Sequence, residues 1–238
     1  MVAAVHYDWE EPAPGVRRCR LPFLDVTVGL VAGSDRVLLV DCGTTLVEAA
    51  GLTEDVAALT GRAVTDLVLT HHHFDHILGS AGFPAATTYA AQPVARALTV
   101  EAAATAGQAL DYGAPPEQVA AAVAALRAPD VLIAGPAQID LGGRCVRVDH
   151  PGRGHTDHDL VAVVPAAPGG RTVVFCGDLV EQSADPAVGP DSDPGAWPST
   201  LDRLLELGGP DAVYVPGHGA IVDAEFVRRQ RDWLTSRC

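Results

Sequence analysis

The chain has 238 residues and a formal net charge of −14, and its 16 basic residues are all Arg. That balance argues against a nucleic-acid partner, since non-specific phosphate binding rests on clustered Lys and Arg. No apolar run reaches the roughly 18 residues that cross a bilayer, and the N-terminus lacks a secretory pattern, so a cytoplasmic protein with no membrane partner is expected. The length suits one large domain spanning 1–238. Ala, Gly and Arg usage suits a GC-rich bacterial genome. Cys19, Cys42, Cys145, Cys176 and Cys238 are scattered and odd in number, which suggests neither a disulfide scaffold nor a thiolate zinc knot.

After a Pro-containing lead-in, residues 25–31 and 36–40 read as two strands of a hairpin around Gly33-Ser34-Asp35. Thr53 opens an Ala/Leu-rich helix that ends at Gly61, and residues 64–69 read as a buried strand. Residues 91–127 give two helices joined by a turn at Gly113-Ala114-Pro115-Pro116, a candidate lid or substrate-facing insert. Strands return at 131–134, 144–149, 160–164 and 171–176. A loop at 183–198 precedes a helix (200–207), a strand (212–215) and a last helix (224–235). The order suggests two similar halves, each ending in ligand-bearing loops.

The most informative run is Thr70-His71-His72-His73-Phe74-Asp75-His76, which crowds four imidazoles and a carboxylate directly after a strand. In an extended segment the rings of His71 and His73 leave the same side of the backbone, and Asp75 and His76 follow at a helix start. Such crowding calls for a cation, and neutral imidazole with carboxylate suits zinc, manganese or iron. An affinity tag does not fit an internal run broken by Phe74 and Asp75. Three more Gly-containing turns after apolar runs carry His155, Asp178 and His218. Each alone is a weak signal, since an isolated His or a post-Gly Asp is more often structural.

In order, these motifs resemble those of the metallo-β-lactamase superfamily. His71-His72-His73-Phe74-Asp75-His76 matches its HxHxDH signature, and Gly154-His155-Thr156, Asp178 and Pro216-Gly217-His218-Gly219 match its later motifs. Asp41 resembles its early strand-end aspartate, which fixes ligand loops. The resemblance implies an α/β αββα sandwich, two mixed sheets flanked by helices, with a dinuclear metal cleft at one edge. His71, His73 and His155 would hold one zinc; Asp75, His76 and His218 would hold a second; Asp178 would bridge them. It also implies a hydrolase of small-molecule esters, thioesters, lactones or amides, with a metal-bridging hydroxide as nucleophile and Asp75 as the catalytic residue that orients it and takes its proton.

His72 falls at the variable position and receives no role. His158 departs from the family pattern and reads as an ordinary loop residue, with a position beside the ligands or in the cleft as the lesser option. Cys176 should share the strand face of Asp178 and is expected to be packed and inert. Zinc β-lactamases commonly carry Cys where this chain has Asp178, and Glu181 disfavours a carboxylate ligand. A chain with no basic surface and about one helix after His218 does not resemble the superfamily's RNA nucleases or glutathione-thioester hydrolases. The rival readings are an iron-dependent oxidoreductase of the same fold, akin to persulfide dioxygenases, and a metal-binding protein without turnover. Monomer and homodimer are both compatible with the sequence.

Overall fold

Short, strongly apolar runs build two sheets, seen in a computed structural model that describes residues 5–237. The first has seven strands in sequential order: β1 (Glu10–Ala13), β2 (Val16–Arg20), β3 (Thr27–Ala32), β4 (Val37–Val40), β5 (Asp66–Val68), β6 (Thr87–Ala90) and β7 (Val131–Leu132). Pairing is antiparallel from β1 to β4 and parallel from β4 to β7. The second holds β8 (Ala137–Asp140), β9 (Cys145–Asp149), β10 (Val161–Val164), β11 (Val173–Phe175) and β12 (Val213–Val215) in the order β12-β11-β10-β9-β8, with only β11 and β12 parallel. Both sheets are therefore mixed.

Central strands are buried on both faces, which explains why β3, β4 and β10 read as continuous apolar runs. One face of each sheet meets the other through Val31, Leu38, Val40, Val148, Ala162 and Phe175. Gly29 makes that approach possible, because a Cβ there would lie 2.4 Å from the Phe175 ring. Helix α1 (Leu46–Thr60) covers the outer face of the first sheet, where Leu52 and Val56 join Leu30, Leu39 and Leu67. Helix α2 (Phe74–Ile77) lies within the histidine run, and α3 (Gln92–Ala97), α4 (Ala102–Asp111) and α5 (Pro116–Ala125) follow in the segment 91–127. Helices α6 (Trp197–Gly208) and α7 (Ala224–Thr235) cover the second sheet through Trp197, Leu201, Leu204 and Val227. The result is an αββα sandwich. Among the described residues, no helix is long and apolar enough to cross a membrane.

Several local expectations need correction. Helix α1 starts eight residues or so before Thr53, at a reciprocal cap: the Thr45 hydroxyl accepts from Glu48 N at 3.1 Å and the Glu48 carboxylate accepts from Thr45 N at 2.9 Å. Thr53 sits mid-helix, its hydroxyl donating to the Ala49 carbonyl at 2.8 Å, while Gly61 closes the helix at φ 71° as expected. The insert at 91–127 holds three helices rather than two, although Gly113 makes the expected turn at φ 88°. Strand β3 begins at Thr27 because Leu24 and Asp25 are left-handed, at φ 58° and 60°. Strands β1, β2, β6 and β8 were not expected. β1 is an exposed, irregular edge, and in β2 the buried Arg18 hides the apolar pattern by pairing with Glu10 and donating to the Gly219 carbonyl at 2.7 Å. The four described cysteines are free, with Cys145 exposed and the others buried; Cys238 lies outside the described residues.

Candidate metal centre

The candidate ligands lie on loops that leave the strands at one edge of the sandwich. His71 to His76 follow β5, His155 follows β9, Asp178 lies in a 3-10 turn (Gly177–Leu179) after β11, and His218 follows β12. All seven side chains converge. His73 Nδ1 stands 3.1 Å from His71 Nε2 and 2.9 Å from His155 Nε2. His76 Nε2 is 3.4 Å from His218 Nε2, and Asp75 Oδ2 lies 3.6 and 3.4 Å from those same two atoms. Asp178 sits between the groups: its Oδ2 is 3.5 Å from His155 Nε2 and 3.4 Å from His218 Nε2, and its Oδ1 is 3.2 Å from His76 Nε2.

Each histidine has its outer nitrogen engaged, which turns the inner one toward the centre. Assigned from their partners, His73 Nε2 donates to Asp191 Oδ2 at 2.9 Å, and His76 Nδ1 to Asp41 Oδ2 at 2.9 Å. His155 Nδ1 donates to the Ala187 carbonyl at 3.1 Å and His218 Nδ1 to the Leu24 carbonyl at 2.8 Å. Asp41 also accepts from the Thr70 hydroxyl and backbone N–H, both at 2.8 Å, which leaves the Thr70 oxygen to accept from His71 Nδ1 at 3.0 Å. Five imidazole lone pairs thus face inward, an arrangement that is repulsive without a cation and is the usual support of a metal-binding histidine.

The donor set fits divalent metal on further grounds. Ligand atoms about 2.0–2.1 Å from a tetrahedral zinc stand about 3.3 Å apart, close to the nitrogen spacings here. Oδ1 of the buried Asp178 has no hydrogen-bond partner, an unusual state for a buried carboxylate oxygen. His71, His73, His155 and Asp178 offer donors within 4.8 Å of one another, and so do Asp75, His76 and His218. Glycine clears the space: a Cβ on Gly217 would lie 1.9 Å from Asp178 Oδ1.

Proton affinities within the cluster are strongly perturbed. Burial drives His71 well below its ordinary value, helped by His76, and burial also lowers His155. For His76 and His218 burial opposes charge, yet Asp178 and Asp75 pull His76 well above the usual range and His218 up to about 12. Burial would raise Asp178, but His76, His218 and His71 hold it well below the carboxylate range. The hydrogen bond with His73 lowers Asp191 to about 2.

Residues outside the expected set also join. Asp191 comes from the loop at 183–198, where nothing in the sequence separates it from neighbouring acidic residues. Glu181, buried, offers a donor within 4.8 Å of those of Asp178 and His218. Its backbone N–H donates to Gln230 Oε1 at 3.0 Å, so α7 pins this segment. His72 points away from the centre, with Nδ1 3.1 Å from His158 Nε2 and Nε2 3.4 Å from Asp191 Oδ2. His158 is buried and bonded to its chain neighbour Asp157 at 2.8 Å. Cys176 does not share the face of Asp178, because β11 ends at Phe175 and the chain turns; its thiol packs among Val174, Leu179 and Trp197, and burial pushes it upward.

A cleft of about 850 Å³ opens over this centre, with Phe74, Tyr112 and Val188 on its walls. Helix α4 reaches it through Gln108 and Tyr112, whose ring packs on Phe74 at a centroid distance of 5.3 Å.

The chain belongs to the metallo-beta-lactamase superfamily, whose sequence profile matches residues 21–218. Solved structures share its fold at low identity. A metallo-beta-lactamase from Pontibacter korlensis is 20% identical with a TM-score of 0.70, covering 97% of this chain and 99% of its own. DIM-1 metallo-beta-lactamase is 15% identical with a TM-score of 0.74, covering 98% of each chain. FIM-1 from Pseudomonas aeruginosa, solved in a mono-zinc form, is 17% identical with a TM-score of 0.71, covering 100% of this chain and 98% of its own.

Proposed function

We propose that the protein is a dinuclear zinc hydrolase that cleaves an ester, thioester, lactone or amide bond of a small molecule. The observation that carries this reading is the convergence of five inward-facing imidazoles and two carboxylates into two donor groups that meet at Asp178. His71, His73 and His155 would hold one cation, Asp75, His76 and His218 the other, and Asp178 both. FIM-1, a relative in fold, was solved with one zinc, which supports that metal.

Held by these residues, a pair of divalent cations would supply a water activated near neutral pH and would polarise a substrate carbonyl. Asp75 lines the cleft, with its Oδ2 3.4 Å from His218 Nε2, a position from which its carboxylate can orient the attacking water and receive its proton. Asp191 and Asp41 keep His73 and His76 in the tautomers that present a lone pair. Phe74 and Tyr112 supply an apolar wall that holds the substrate and limits bulk water. The test is a panel of esters, thioesters, lactones and β-lactams offered to zinc-loaded protein, with Asp75→Asn as the control. Turnover of at least one class that falls by about 100-fold or more in the variant is expected for loss of a general base; equal rates would overturn the role of Asp75.

A further inference from the structure

Five carboxylates line the cleft and, among the described residues, no Arg does. Asp75 and Asp178 belong to the metal-facing set. Glu181, Asp185 and Asp191 come from one stretch of chain that forms one side of the opening: Asp191 accepts from His73, Glu181 is buried beside Asp178 and accepts from the Ser183 hydroxyl, and Asp185 is exposed. Nearby guanidinium groups are already engaged: Arg153 pairs with Asp193 at 3.3 Å, and Arg20 pairs with Asp25. The rest of the lining is largely apolar, from Phe74, Tyr112 and Val188, and both Tyr112 and Val188 are exposed to a ligand entering from solvent.

We propose that this cleft selects apolar acyl substrates that bear an ammonium group, and rejects those that bear a carboxylate. The inference rests on the hydrolytic reading above and adds its substrate class. Bound cations attract the reacting carbonyl of any acyl compound alike, so discrimination falls to the part of the molecule that meets the wall. At the end of the acyl chain away from the metals a carboxylate meets the like charge of the exposed Asp185 and finds no Arg among the described lining residues, whereas an ammonium meets a counter-charge there beside an apolar floor, with Glu181 buried deeper on the same side. The aromatic lining favours the same group, because an aromatic ring such as that of the exposed Tyr112 attracts an alkylammonium.

The test uses three esters of one alcohol whose acyl chains differ only at the far end: trimethylammonium, tert-butyl or carboxylate. On zinc-loaded protein at low salt, kcat/KM is expected to fall by about tenfold at each step in that order, and the spread to shrink as salt screens the wall. Asp185→Lys and Glu181→Gln should each narrow the ammonium-to-carboxylate ratio, Asp185→Lys by about tenfold. A parent enzyme that cleaves the carboxylate ester as well as the ammonium ester overturns the proposal, as does a ratio that neither variant changes. Should none of the three be cleaved, the hydrolytic reading fails for this class, and calorimetry with the corresponding ethers still decides the charge preference. An ammonium ether that binds no tighter than its carboxylate counterpart then overturns the inference.

Discussion

Asp41 joins the fold to the metal centre, and its removal should weaken both. It is 2% exposed, adopts φ 60°, and accepts three hydrogen bonds: from Thr70 N and Oγ1, both at 2.8 Å, and from His76 Nδ1 at 2.9 Å. Hydrogen bonds to a charged acceptor contribute about 1.5 kcal/mol or more each. Alanine in the left-handed region adds about 1 kcal/mol, a cost that Asp and Asn largely escape. Asp41→Ala should therefore destabilise the protein by about 5–6 kcal/mol, a fall in Tm of roughly 10–20 °C for a chain of this size. Asp41→Asn keeps the backbone preference and one acceptor oxygen, so about half that loss is expected. Freed from its acceptor, His76 should lose orientation, weakening zinc at the second group by about 10–100-fold. Urea unfolding of chelator-treated protein measures the first effect, and competition with a chromophoric chelator the second. If Asp41→Ala unfolds within about 1 kcal/mol of the parent, the hydrogen-bond reasoning is wrong. If zinc affinity is unchanged, so is the claim that Asp41 orients a ligand.

Asp191 is about a third exposed and touches the centre only through histidines, so Asp191→Ala should leave folding nearly unchanged while lowering zinc affinity by about 10–100-fold; a chelator titration beside a melting curve separates the two. Gly217→Ala should displace the Asp178 carboxylate, since its Cβ would stand 1.9 Å from Oδ1, and metal content after purification should drop while the sheets still form by circular dichroism. Metal should stabilise the protein more as pH rises. In the metal-free protein the raised values of His76 and His218 give stability that is complete below the ordinary histidine value of 6.5 and is lost as pH climbs toward the raised ones. Zinc must displace those protons, so its affinity also grows with pH. The gain in Tm on adding zinc should thus be larger at pH 8 than at pH 6; a gain that shrinks over that range would count against proton displacement.

Much of this centre was legible because its residues are chemically costly in any other role. Four imidazoles beside a carboxylate directly after a strand have few other uses, and His155, Asp178 and His218 gain meaning only as an ordered set. Sheet strands buried on both faces, such as β4 and β10, announce themselves as apolar runs. Edge strands do not, since β1 and β8 lack continuous burial, and neither does β2, which lies one strand in and carries a buried Arg18 whose partner Glu10 sits on β1. The early start of α1 followed a cap, Thr45 with Glu48, that could have been read and was outweighed by Thr53-Glu54-Asp55. Asp191 was beyond reach for a different reason. It meets His73 across 118 positions, and one aspartate in an irregular acidic loop looks like any other. His72 and His158 find each other in the same way, 86 positions apart.

The central claim is that side chains from four separate loops together hold two cations. Anomalous scattering at the zinc edge from crystals of zinc-loaded protein tests it most directly. Two peaks are expected, one enclosed by His71, His73 and His155 and one by Asp75, His76 and His218, with Asp178 reaching both. Zinc bound elsewhere, or ligated by the His71–His76 loop without His155, Asp178 and His218, would contradict it.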